Sequence, residues 1–145
     1  MPGAFTVDQP RSVVLARIWG KVTDADLVWY TKVHNADARL KPHFNQLLDL
    51  REVTDLDVSS TAIRAVAGLS AFGPGSHRAL VVGHEAVFGM ARMYELMRPD
   101  APDELRVFRD MDVALAWLGL AGDKAEVLSA LARAPQIVGP ESKAD

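Results

Sequence analysis

The chain contains no cysteine. That absence removes disulfides, thiolate nucleophiles, iron–sulfur clusters and cysteine-ligated zinc together. It also has no block of lysine and arginine, and its net charge is -3 with a pI near 5.8. A general nucleic-acid binder needs a basic face to displace counterions, so no nucleic-acid partner is expected. No apolar run reaches the roughly 18 residues of a membrane span, so no integral membrane segment is expected. The opening MPGAFTVDQPRS lacks the charged-then-apolar pattern of a signal peptide. A cytoplasmic location is the resulting expectation. No GxSxG elbow is present, and GHEAVFG lacks the GK[ST] of a phosphate loop. His34, His43, His77 and His84 form no HxxxH or HExxH pair, so no metal and no cofactor is expected. All four histidines are expected in surface loops.

What the chain does have is an ordinary globular composition, with 145 residues, 49% hydrophobic and 24% charged. No repeat or linker divides it. One domain over residues 1–134 with a flexible tail over 135–145 is expected. SVVLARIWG (12–20) is β-branched and apolar, and FTVD (5–8) can pair with it through a turn at Gln9 and Pro10. Thr23 and Asp26 have capping-box spacing. Trp29, Val33, Ala36 and Leu40 then form a helical stripe that ends before Pro42. QLLDL (46–50), HRALVVG (77–83) and LRVF (105–108) read as further strands. Helices are expected after Ser59 or Ser60, from about Glu85 to Met97, from Asp110 or Met111, and over 124–134. Strands alternating with helices predict an α/β fold, a mostly parallel sheet of about five strands with four to five helices.

Three regions are candidates for function. The stretch LLDLREVTDLDVSS (47–60) gathers Asp49, Glu52, Asp55 and Asp57 and ends in Ser59 and Ser60. It lacks the DxDxDG spacing of a calcium loop, and a hard cation wants more oxygens than DLD supplies. The acids suit a strand-to-helix turn, and a serine there suits a helix cap. His84 follows a strand end, where ligands of open α/β sheets gather, and with Asp57 and Lys21 it defines an enzyme alternative. The helix from Glu85 is apolar around more of its circumference than sheet packing requires. Beside the face of Val87, Met90, Ala91, Tyr94 and Met97 runs a second strip, Gly89, Met93 and Leu96. That strip is either buried under a later helix, or a partner or homodimer surface, or the wall of a pocket for a small apolar ligand.

The stretches GKVTDADL (20–27), FNQLLDLREVTDLD (44–57), RALVVG (78–83), FGMARMYELMR (88–98) and RVFRDMDVALAWLG (106–119) together resemble the STAS domain of anti-sigma factor antagonists, in its SpoIIAA-like branch. The resemblance implies a non-enzymatic regulatory or protein-interaction module that self-associates. Lipid-transfer relatives of similar arrangement imply, as the alternative, a binder or carrier of a small apolar or lipid-like ligand. In antagonists an aspartate precedes the phosphorylated serine. Aligned on the strand, Asp57 matches that aspartate and Val58 falls on the phospho-acceptor, so the switch itself is not expected here. A partner module predicts an exposed Met-rich patch and no deep cavity. A carrier predicts an enclosed cavity of roughly a few hundred Å3. An enzyme predicts convergent polar groups in a cleft.

Overall fold

The computed structural model describes residues 1–140. Two strands open it, β1 (Gly3–Asp8) and β2 (Val13–Thr23), joined as an antiparallel hairpin. Helix α1 (Asp24–Asn35), β3 (Asn45–Asp57), α2 (Ser60–Ala67), β4 (His77–Val82), α3 (Glu85–Leu96) and β5 (Glu104–Phe108) follow. Helix α4 (Met111–Trp117), a 3-10 turn and α5 (Lys124–Ala132) close the fold. The sheet has five strands in chain order, β1-β2-β3-β4-β5, parallel from β2 onward. The expected α/β architecture is therefore the observed one.

Sequential strand order has a consequence for layering. Each right-handed crossover returns the chain to the neighbouring strand on the same side, so α1, α2 and α3 lie together on one face. The chain crosses to the other face only after β5, where α4 and α5 pack. Side chains alternate along each strand. Val13, Leu15, Leu47, Ala79 and Val81 accordingly meet α4 and α5, while Ala16, Ile18, Leu48, Leu50, Leu80 and Val82 meet the first three helices.

Local signals set the element ends. Thr23 caps α1 through a full capping box with Asp26. Ser59 caps α2, and Asp110 caps α4 by accepting from the Val113 N–H. Gly83 ends β4 where a Cβ would stand 2.8 Å from the Arg51 carbonyl oxygen, a distance no side chain tolerates.

Two differences from the sequence expectation matter. Strand β3 continues seven residues past Leu50, to Asp57. Lys21, Val22 and Thr23 of β2 pair there with Asp55, Leu56 and Asp57, so the acidic stretch is strand rather than loop. Residues from 135 onward were expected as a tail. Gln136 bridges Ala4 of β1, Ile137 is buried, and the Ile137 N–H donates to the Gly3 carbonyl at 2.8 Å. Residues 141–145 lie outside the described residues.

Candidate functional site

The carboxyl-end rim carries the residues singled out first. Asp55 and Asp57 point outward and are exposed, while Leu56 and Val58 pack on the core, alternating with them after an irregularity at Thr54. Ser59 Oγ accepts from the Ala62 N–H at 3.2 Å and donates to Asp24 Oδ2 at 2.7 Å. The Ser59 N–H also donates to Asp24 Oδ1 at 2.6 Å. The Ser59 hydroxyl, and then its N–H, hold the Asp24 carboxyl below the usual carboxylate range. A phosphate on Ser59 would displace this bond and face a carboxylate. Ser60 is the exposed first residue of α2. His84 caps α3 with no side-chain bond. Among the described residues no hydrogen bond or ion pair joins His84, Asp57 and Lys21 to one another. No group of three or more histidines and carboxylates among the described residues is placed to hold a metal.

The strip on α3 is open. Gly89 is exposed, Met93 is 39% exposed and Leu96 70% exposed. Helices α4 and α5 cannot cover it, because they occupy the opposite face of the sheet.

The convergent polar groups lie elsewhere, under α1–α3 at the amino ends of β3 and β4. Gln46 and Arg78 are register partners on these strands, both on the face turned to α1–α3. Arg78 Nε donates to Gln46 Oε1 at 2.9 Å, and Arg78 Nη1 donates to the Tyr94 hydroxyl oxygen at 3.1 Å. Gln46 Nε2 reaches the Tyr30 hydroxyl oxygen at 3.4 Å. The Arg78 guanidinium sits over the Phe72 ring, 4.5 Å from its centroid. Burial raises the Tyr30 hydroxyl far above its usual pKa, so it stays a neutral donor.

A buried ion cluster continues from this network. Asp103 Oδ2 lies 3.5 Å from Arg78 Nη1, and Asp103 Oδ1 accepts from Arg98 Nη2. The side chains of Arg78, Arg98 and Asp103 are 7%, 3% and 0% exposed. Two cations thus share one carboxylate, and the cluster carries a surplus of one positive charge. Ring faces of Phe72 and Tyr94 offset part of it, each contact worth about 2 kcal/mol where it is desolvated. Burying an ion costs several kcal/mol, so the offset is incomplete.

His34 belongs to the same region. It was expected in a surface loop but sits on α1 and is 3% exposed, between the rings of Phe5, Tyr30 and Phe72. The helix turns Tyr30 and His34 inward, four residues apart, and leaves Trp29 and Val33 only half-buried. Nδ1 meets Asn35 Oδ1 at 2.9 Å. An amide oxygen only accepts, so Nδ1 carries the hydrogen. Nε2 is then a buried acceptor, and among the described residues it has no hydrogen-bond partner. Burial, with the Arg78 charge, pushes the His34 pKa below its ordinary value.

Between these groups and the apolar side chains of Leu48, Ile63, Val66 and Met90 lies a cavity of about 80 Å3. Arg78, Gln46, Tyr30, His34 and Tyr94 also line it. It is smaller than the few hundred Å3 expected of a carrier, yet large enough for several waters or one compact molecule. Sequence reasoning placed Met90 and Tyr94 on the inner face of α3 and passed over the other polar members. Their signal was slight: one polar residue, Gln46 or Arg78, near the start of each of two apolar strands, and a Tyr-x-x-x-His step on α1.

No family model, no curated protein and no solved structure matches the chain. Among the described residues, no helix is long and apolar enough to cross a membrane.

Proposed function

We propose that this chain is a non-enzymatic, STAS-like binding module of the cytoplasm whose small ligand occupies the cavity beneath α1, α2 and α3. The observation that carries the reading is the cavity itself. It has an apolar wall, and its polar groups converge from α1, β3, β4 and α3. Concave sites with a few placed polar groups are the usual form of small-molecule sites. A ligand there touches three helices and the sheet together, so binding would tighten α2, the shortest of the three helices, against its neighbours. The enzyme alternative has less support, since no hydrogen bond or ion pair among the described residues joins its rim residues.

Native mass spectrometry of protein purified from its own host tests the reading. A bound small molecule is the expected result. Ile63→Trp, which fills the cavity from α2, should abolish retention. Retention unchanged in that variant would overturn the assignment of the ligand to this cavity.

A second reading rests on a separate observation, the exposed strip of Met93 and Leu96 on α3. It makes the chain a protein-interaction module, self-associating as a twofold homodimer through the same strip on both copies. Met93→Glu should then shift the protein toward monomer in sizing chromatography without lowering its melting temperature. A monomeric wild type at high concentration would remove this reading.

A further inference from the structure

We infer that the cavity selects a compact acid, with an anionic head held by Arg78 and an apolar body against Leu48, Ile63 and Met90. The inference rests on the reading that this cavity is a ligand site, and adds the chemical class of the ligand. Three observations lead to it. The first is charge: Arg78 and Arg98 share only Asp103, and all three side chains are buried. An anion against Arg78 removes the surplus, whereas a neutral ligand leaves it and a cation adds to it.

The second is donor supply. Arg78 spends Nε on Gln46 and Nη1 on Tyr94. No hydrogen bond among the described residues takes its Nη2. A guanidinium lining a cavity with a nitrogen to spare is suited to a carboxylate oxygen, and such charge-assisted bonds are stronger than neutral ones. The Tyr30 hydroxyl, beside the same cavity, is a further neutral donor. The third is the lining. Beyond its polar end the cavity is walled by aliphatic and methionine side chains, which favour an apolar body. Its volume of about 80 Å3 is about half the roughly 150 Å3 that takes a benzene ring, so it admits a short-chain acid rather than a ring or a long acyl chain.

Matched probes separate charge from shape. Acetate is compared with ethanol, and propionate with 1-propanol, by isothermal titration calorimetry on the full chain at pH 7. Each acid should bind roughly tenfold or more tightly than its alcohol. NMR signals of the Ile63 and Met90 methyl groups should shift on titration. Arg78→Met should erase the preference, while Arg78→Lys should keep part of it. The wild-type comparison stands even where a variant fails to fold. Equal affinity for acid and alcohol, with the methyl shifts present, overturns the charge inference and leaves the cavity reading intact. Acid binding that leaves the Ile63 and Met90 signals unmoved overturns the inference by placing the acid elsewhere. No binding of either probe overturns both.

Discussion

On one side of the sheet, Val13, Leu15, Leu47, Ala79 and Val81 meet Leu115, Val127 and Leu131 in an apolar cluster, with Arg17 and His77 only at its edges. On the other side, the same strands turn Gln46 and Arg78 toward Tyr30, His34 and Tyr94. The adjacent rows Leu47–Ala79 and Gln46–Arg78 are one residue apart in register, yet one is dry and the other ionic. The first face needs only volume and apolar surface, and nearly any good packing satisfies it. The second must supply a partner for every buried donor, acceptor and charge, and among the described residues it leaves His34 Nε2, Arg98 Nε and Asp103 Oδ2 without hydrogen bonds. Evolution can build a stable domain from the first kind of face alone. The second kind, with a cavity at its centre, is where a ligand has something to add.

The comparison breaks most sharply at Asp103. Asp103→Asn removes the lone carboxylate between two buried guanidiniums. The expected loss is about 3–5 kcal/mol in denaturant unfolding, because the cations are left uncompensated. A loss under about 1 kcal/mol would mean that water reaches the cluster freely and that the two faces do not differ as described. On the dry face, Leu115→Ala should cost about 2–5 kcal/mol through lost burial and a residual void.

A smaller effect sharpens the contrast through pH. His34 has a folded pKa below 6.5, because burial disfavours its charged form. As pH falls below 6.5 the unfolded chain takes up this proton and the folded chain does not. The stability from neutral His34 is therefore fully present above pH 6.5 and is lost as pH falls toward the lowered folded pKa. Asp24 and Asp37 are also lowered, from 3.8, and their contributions fade only in a separate and more acidic window. Unfolding free energy measured between pH 7 and pH 5 should slope downward in the wild type and be flatter in His34→Phe. An unchanged slope would assign the dependence to another group.

How much of this was legible follows from the same contrast. The α/β alternation, the Thr23–Asp26 capping box and the Asp110 start of α4 rest on local patterns, and each occurs where its pattern stands. The length of β3 was misread because Glu52, Asp55 and Asp57 make the stretch look like a loop. Val53 and Leu56 face inward between them, and it is pairing with β2 that makes the stretch a strand. The site was largely illegible. An arginine in HRALVVG reads as a strand-end charge until the register sets it beside Gln46 and the fold brings up Tyr94. Asp103 in PDAPDE has the composition of a solvated loop, and only tertiary packing buries it. The α1 stripe stands one residue off, since Tyr30 and His34 are the residues α1 buries rather than Trp29 and Val33.

The smallest expected effect falls on the rim, outside both faces. Ser59→Ala removes a hydroxyl that caps α2 and bonds Asp24, and should cost about 1 kcal/mol. Ser60→Ala should lie within about 0.5 kcal/mol, since Ser60 is exposed, already helical and replaced by the best helix former. Ser59→Glu should cost more than Ser59→Ala, because its carboxylate would meet the Asp24 carboxylate now bonded to the serine. The three variants compared in one denaturation series test whether this rim is a helix start or a switch. A helix start predicts the order just given. Ser59→Glu as stable as wild type would mean that the rim accepts a negative charge in place of the hydroxyl. That would return Ser59 to consideration as a phosphorylation site, despite the valine that packs on the core beside it.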